Sequence, residues 1–251
     1  SFAPIKNDYA FFQQHSTELQ ALSQAMGKIM RRSGSAQQPG RLLDFGSGDG
    51  HFLAATLATA GGPYGSWHIT VLDPVAEYRT AAVSHLTLWS ASPVQSWETW
   101  PTPLLPQFDR VVANHVLYYV PELEATLDTL WAMTVGGGTL YITMGHTLHN
   151  ALVACWIAMF QAIATPLPYH LSVDVPPLLE RRGWTYGVVE VPSQLRFDDQ
   201  PEHRQSIGRF LFGERSPSLD AQALTAFFDR YTADGAITMP LLDEIYCLEK
   251  P

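Results

Sequence analysis

Hydrophobic and polar positions follow two different periods along this chain. From residue 8 to residue 32, apolar residues return every three to four positions, the spacing of one helix face. Phe11, Phe12, Leu19, Leu22, Ala25, Met26, Ile29 and Met30 fall on one side; Gln13, Gln20, Gln24, Lys28 and Arg31 fall on the other. One amphipathic helix is predicted there, followed by a Gly/Ser/Pro-rich linker, RSGSAQQPG, over 32–40. Short apolar runs and helical patterns then take turns. The runs RLLDF (41–45), WHITVLD (67–73), HLTLW (85–89), FDRVVANH (108–115) and GTLYITMG (138–145) read as strands. HFLAATLATA (51–60), PVAEYRTAAVS (74–84) and PELEATLDTLWAMT (121–134) read as helices between them. Pro74 opens the second of these, where its missing N–H costs nothing. Later, the apolar run from Ala151 reads as a buried helix, VPPLLERRG and SLDAQALTAFFDRY as helices, and WTYGVVEVP and AITMPLLDEIYCLEK as strands.

Strand–helix alternation predicts an α/β fold, Rossmann-like, with a doubly wound parallel sheet and its ligand at the carboxyl ends of the strands. One domain is expected over 1–251. It would comprise an N-terminal helical cap (1–35), a ligand-binding core (41–145) and a substrate side with closing strands (146–251), including an insertion near 146–170.

Composition narrows the function. Of 251 residues, 46% are hydrophobic and 16% charged, which suits a globular core rather than a disordered chain. The net charge is −9, and the 15 Lys and Arg form no long run, so a nucleic-acid partner is not expected. Two cysteines, Cys155 and Cys247, give neither a disulfide framework nor a zinc motif. A reducing, cytoplasmic setting is the default, and no metal is expected. The start of the sequence lacks the pattern of a signal peptide. The longest apolar stretch falls short of the ~20 residues a membrane span needs.

The most informative stretch is LLDFGSGDGHF, which reads as strand, turn and helix. Asp44 precedes Gly46, Ser47, Gly48 and Gly50 in the spacing D-x-G-x-G-x-G. Glycines there permit positive φ and a close ligand approach, and the helix N-terminus offers free N–H groups. A dinucleotide site would want G-x-G-x-x-G, but His51 stands where the third glycine belongs. An acidic residue just ahead of the glycines suits the amino group of a methionine moiety. Asp73 ends the second strand, where a carboxylate can take both ribose hydroxyls or cap the next helix beside Pro74. Gln95 and Ser96, after the third predicted strand, are candidates for the adenine edge, as is Tyr78. Asn114 and His115 end the fourth strand, and Tyr118 and Tyr119 follow.

The D-x-G-x-G-x-G turn resembles motif I of class I methyltransferases that use S-adenosylmethionine (SAM), and FDRVVANHVLYYV resembles their motif IV. HSTELQ, LDPVAEY, NHVLYYV with ATLDTL, and LLDEIYCLEK, taken in order, are similar to the histamine N-methyltransferase family. The resemblance implies a seven-stranded, mostly parallel sheet, SAM as cofactor, and a small cationic or imidazole-type substrate. Asp44, Gly46, Ser47, Gly48, Asp73, Pro74, Gln95, Ser96 and Asn114 would bind the cofactor. Carried over residue by residue, Glu18 would contact the substrate amine and Tyr119 would orient it. His115 replaces the family's glutamine, and Asp243 its asparagine, so the resemblance leaves the substrate open. His115 and Tyr119 would be the catalytic pair. A small-molecule O-methyltransferase is the alternative.

HSTE itself has two readings. On a continuous helix, His15 falls near the centre of the apolar face and Glu18 at its edge, where a buried carboxylate wants a cationic partner. Alternatively the helix breaks, with Thr17 as N-cap, Gln20 completing a capping box and Glu18 at the first helical position.

Overall fold

A computed structural model describes residues 6–32, 40–61, 64–103 and 107–251, so nearly all of the expected linker lies outside the described residues. Within them the helices are α1 (Lys6–His15), α2 (Glu18–Arg32), α3 (His51–Ala60), α4 (Ala76–Leu86), α5 (Leu123–Met133), α6 (Ala151–Ala162), α7 (Val175–Arg181), α8 (Pro201–Phe212) and α9 (Ala221–Asp229). The strands are β1 (Gly40–Phe45), β2 (Trp67–Leu72), β3 (Gln95–Trp97), β4 (Phe108–Asn114), β5 (Thr134–Gly145), β6 (Tyr186–Asp198), β7 (Thr232–Ala233) and β8 (Ala236–Glu249).

They form one sheet in the order β3-β2-β1-β4-β5-β8-β6, with β7 beside β8. The pairs β1–β2, β1–β4, β2–β3 and β4–β5 are parallel. This is the doubly wound α/β sheet that strand–helix alternation predicts. Leu42, Leu43, Val111, Val112, Leu140 and Ile142 are all buried. Central strands read as unbroken apolar runs because helices cover both faces of a parallel sheet.

Contacts divide the chain into two compact units. The larger comprises Leu22–Met144, His170–Val191 and Glu244–Pro251; the smaller comprises Ser1–Ala21, Gly145–Tyr169 and Pro192–Asp243. In the smaller unit, α6 buries Leu152, Val153, Cys155, Trp156, Met159 and Phe160, and α9 buries Phe227 and Phe228. Helix α1 packs on α8 through stacked rings of Phe12 and Phe210, 4.5 Å apart, and through an ion pair between the buried Asp8 and the exposed Arg209. Arg209 grips Asp8 with two N–H···O bonds of 2.8 and 3.0 Å, and the Ser206 hydroxyl adds a third at 2.8 Å.

Two expectations need correcting. The helix predicted over 8–32 is two helices, broken at Ser16 and Thr17. His15 closes α1 by donating from Nδ1 to the Phe11 carbonyl (2.8 Å), and the Ser16 hydroxyl accepts from the Glu18 N–H (3.1 Å). Thr17 stands at the N-cap position, with Glu18 the first helical residue and the Thr17 carbonyl accepting from Ala21 N–H (3.0 Å), but its side chain does not cap the helix. Its N–H and hydroxyl are tied to the backbone of Gln194 at 2.9 and 3.0 Å. The run HLTLW is not a strand. Leu86 stands four residues after Ala82, both fully buried, so the helical period continues α4 to Leu86; Thr87–Trp89 is a 3-10 turn. The third strand is Gln95–Trp97, and Pro74 lies ahead of α4 rather than inside it. Helix α8 has no counterpart in the pattern reading, because its first half, PEHRQS, is polar.

Candidate active site

Strand register builds the site. Phe45 is level with Leu72 on one side and Ala113 on the other, so β1, β2 and β4 end together. Asp44 pairs with Val112, and Asn114 pairs with Thr143. Side chains alternate between faces, so Asp44, Asn114 and Thr143 point to the same side at the carboxyl edge.

The glycine turn leaves β1 at this edge. Gly46, Gly48 and Gly50 all have positive φ, at 68°, 51° and 81°. A Cβ at Gly46 would stand 2.2 Å from Val116, and one at Gly50 would stand 2.8 Å from the Ala82 backbone. A Cβ at Gly48 would meet nothing within 4 Å, so that side of the residue is an open cradle. The turn is fastened to the end of β2. Gly46 N–H donates to the Leu72 carbonyl (2.7 Å), and Gly48 N–H donates to Asp73 Oδ2 (3.1 Å). Asp73 Oδ1 accepts from Val75 N–H (2.8 Å), so Asp73 braces the glycine loop and the turn that leads into α4 together. Each of its oxygens keeps a lone pair for a further donor.

Asp44 is buried at the foot of the turn. Burial, with the charges of Asp73 and Asp49 beside it, pushes its carboxyl up to about 7. Burial also raises Asp73, against the Val75 and Gly48 N–H groups and the charge of Arg79. Among the described residues, Asn114 Oδ1 and Thr143 Oγ1 are buried without a hydrogen-bond partner. Native proteins seldom leave such atoms unpaired, and a pair of them on neighbouring strand ends suits a polar ligand.

His115 follows Asn114 with φ 51°, a left-handed conformation that costs a non-glycine residue about 1–2 kcal/mol. Its N–H donates to the Thr143 carbonyl (3.0 Å), and its Nδ1 lies 3.2 Å from the Tyr118 hydroxyl. Burial pushes its pKa down to about 4, so the ring is neutral at ordinary pH. Tyr119 is 46% exposed, edge-on to Tyr118. His170 pins this turn by donating to the Tyr118 and Val120 carbonyls.

The structure does not bring Gln95 to the glycine turn. Gln95 pairs with Thr70 and lines a 230 Å³ cavity with Arg41, His68 and Phe108, at the starting ends of the strands. Ser96 is level with Val71, within the strand. A third strand at HLTLW puts both residues on a loop, whereas the true strand starts ten residues later, at Gln95. The residue that reaches the edge is Trp97, whose carbonyl accepts from Asp73 N–H (3.2 Å).

In the smaller unit, carboxylate oxygens of Glu18 and Asp243 lie within 4.8 Å. Asp243 is fully buried, and burial pushes Glu18 up to about 7. Asn150 orients Asp243. Its amide donates to Asp243 Oδ1 (3.1 Å) and the Leu242 carbonyl (3.2 Å), while its Oδ1 caps α6 by accepting from Leu152 and Val153. The sequence carried a signal for Asn150, an N-cap residue directly before an apolar helix. Thr143 left none.

Comparison with known proteins agrees with this architecture. A family model described as a methyltransferase domain matches residues 16–190. No curated protein matches the chain at a significant level. Among solved structures, a Bacillus halodurans protein described as a methyltransferase is similar at TM-score 0.59 and 13% identity, over 90% of this chain and 98% of that one. The YcgJ protein of Bacillus subtilis is similar at 0.58 and 12%, over 90% and 99%. Geranyl diphosphate methyltransferase, in complex with SAM, is similar at 0.52 and 15%, over 91% and 85%.

Proposed function

Because the chain belongs to the methyltransferase domain family, we propose that it transfers the methyl group of SAM to a nitrogen of a small amine or imidazole. The carboxyl edge fits the cofactor. The cradle at Gly48 is open, Asp73 has spare lone pairs, and Asn114 offers a buried acceptor. In this reading Gly46, Ser47 and Gly48 line the cofactor with backbone. Asp73, followed by Pro74, accepts the ribose hydroxyls, and Asp44 and Asn114 receive the ammonium of the methionine moiety. SAM supplies a methyl already activated by its sulfonium, so the protein's work is positioning and exclusion of water. His115 stays neutral and can accept a hydrogen bond or proton from the reacting group, and Tyr119 orients it.

The nitrogen acceptor rests on one observation, the Glu18–Asp243 pair. Two carboxylates within 4.8 Å, one fully buried and the other half-buried, repel each other unless a proton or a cation joins them. A substrate ammonium is such a cation, and a charge-assisted hydrogen bond to it contributes about 1.5–3 kcal/mol. Mass spectrometry of reactions with SAM and a panel of aliphatic amines, imidazoles and phenols tests the reading. Wild type, Glu18→Gln and Asp243→Asn should be run side by side. Methylation of an amine or imidazole, with KM raised at least tenfold in both variants, is the expected result. Methylation of phenols alone, with the variants matching wild type, would assign the chain to O-methylation and the carboxylates to a structural role.

A further inference from the structure

The glycine turn is held from two sides, and only one hold belongs to the site described above. From the β2 side, Leu72 and Asp73 accept the N–H groups of Gly46 and Gly48. From the α4 side, His85 Nδ1 stands 2.7 Å from the carbonyl oxygen of Asp49, between the last two glycines of the turn. A carbonyl only accepts, so Nδ1 carries the hydrogen, and it does so whether the ring is neutral or protonated. The same α4 face brings Ala82, one turn earlier, against Gly50 so closely that a Cβ on Gly50 would stand 2.8 Å from its backbone. The His85 ring also lies 3.9 Å, centroid to centroid, from His51, the first residue of α3. His51 in turn bonds the Asp49 carboxylate through Nδ1 (2.9 Å).

We propose that His85 is a positioning residue for the cofactor, whose Nδ1–H fixes the Asp49–Gly50 peptide and so presets the glycine turn. The reason is entropic. Three left-handed glycines make this turn the least self-restrained part of the site, because each glycine has more backbone freedom to lose than any other residue. A turn already held in one conformation spares the cofactor the cost of ordering it. His85 acts on the turn through the Asp49 carbonyl. The inference rests on the SAM site alone, not on the identity of the methyl acceptor.

Donor and ring can be separated by substitution. Asparagine places an N–H where Nδ1 stands but removes the ring. Phenylalanine keeps the ring beside His51 but removes the donor. Glutamine reaches toward the Nε2 position instead. Calorimetric titration with S-adenosylhomocysteine (SAH) reads the effect with no need of a methyl acceptor. His85→Asn is expected to bind SAH within threefold of wild type, with His85→Phe and His85→Gln at least tenfold weaker. Melting curves without ligand identify any variant that fails to fold, and glutamine then stands in for phenylalanine. If His85→Phe binds as tightly as wild type, or His85→Asn falls with the other two, ring packing rather than the hydrogen bond sets the turn and the proposal is overturned.

Discussion

At the scale of single residues, burial decides the chemistry. Asp44 has an ordinary value of 3.8 and is pushed to about 7 by enclosure and by its acidic neighbours. Between those values the folded protein without ligand holds a proton that the unfolded chain has released. Stability from this group therefore falls as pH rises from about 4 to about 7, by about 1.4 kcal/mol per unit. Asp44→Asn should remove that slope, and its melting temperature relative to wild type should be more favourable at pH 8 than at pH 4. The ionised carboxylate is the form that receives an ammonium. SAH affinity should thus climb with pH and level off above about 7, whereas Asp44→Asn should bind weakly and without the climb. Thr143 makes the opposite kind of prediction. Its hydroxyl is buried and unpartnered among the described residues, so Thr143→Val should hold or raise stability, by up to about 1 kcal/mol in chemical denaturation. A loss of more than that would mean the hydroxyl is satisfied in the free protein. Asp44 was legible in the sequence because the glycines beside it dictate its surroundings. Thr143 was not, since its importance comes from a neighbouring strand, and Asn150 was legible only as a helix cap, since the Asp243 it orients lies 93 positions away.

At the scale of elements, local patterns were reliable where one period acted alone. The segments 51–60, 108–114 and 236–249 match their readings closely, because no second signal competed. HLTLW satisfies a two-residue alternation and the tail of a helix at once, and the buried pair Ala82 and Leu86 settles it for the helix. HSTE allowed both a continuous helix and a break before Glu18, and the structure takes the break, because the Gln194 backbone, which nothing nearby in the sequence announces, draws Thr17 out of the helical path. Two element contacts carry testable weight. Burial lifts the Asp8 carboxyl, but Arg209 and Ser206 outweigh it and hold it below the usual range. Its contribution is complete above the unfolded value of 3.8 and is lost as pH falls from there through the lower folded value. Asp8→Ala should lower the free energy of unfolding by about 1 kcal/mol at neutral pH, since the Arg209 it leaves behind is exposed to water, with the gap to wild type narrowing in acid. Gly50→Ala combines a left-handed φ with a collision against α4. It should cost about 2 kcal/mol or more in a denaturant titration and weaken SAH binding with it.

At the scale of the whole molecule, the parallel sheet was readable from alternation alone, while the division of the chain was not. Nothing in the sequence marks residues 145–169 and 192–243 as belonging with the first 21, since compactness is a property of distant contacts rather than of composition. Cofactor identity is testable at this scale too. SAH at a hundred times its dissociation constant should stabilise the protein by about 2.7 kcal/mol in thermal or chemical unfolding, and NAD at the same concentration should leave it unchanged. Equal protection by both would point to a generic nucleotide site.

The sheet order also bears on how the protein comes off the ribosome. Strand β8 lies between β5 and β6, yet it follows every other helix and strand described here in the chain. While the nascent chain grows, β5 has no partner on one flank and β6 has none to join, so the sheet stays open until residues 236–249 emerge. Unpaired strand edges of that kind invite association with other chains. A polypeptide stopped before residue 236 is expected to expose both edges and to depend on chaperones, however intact its glycine turn.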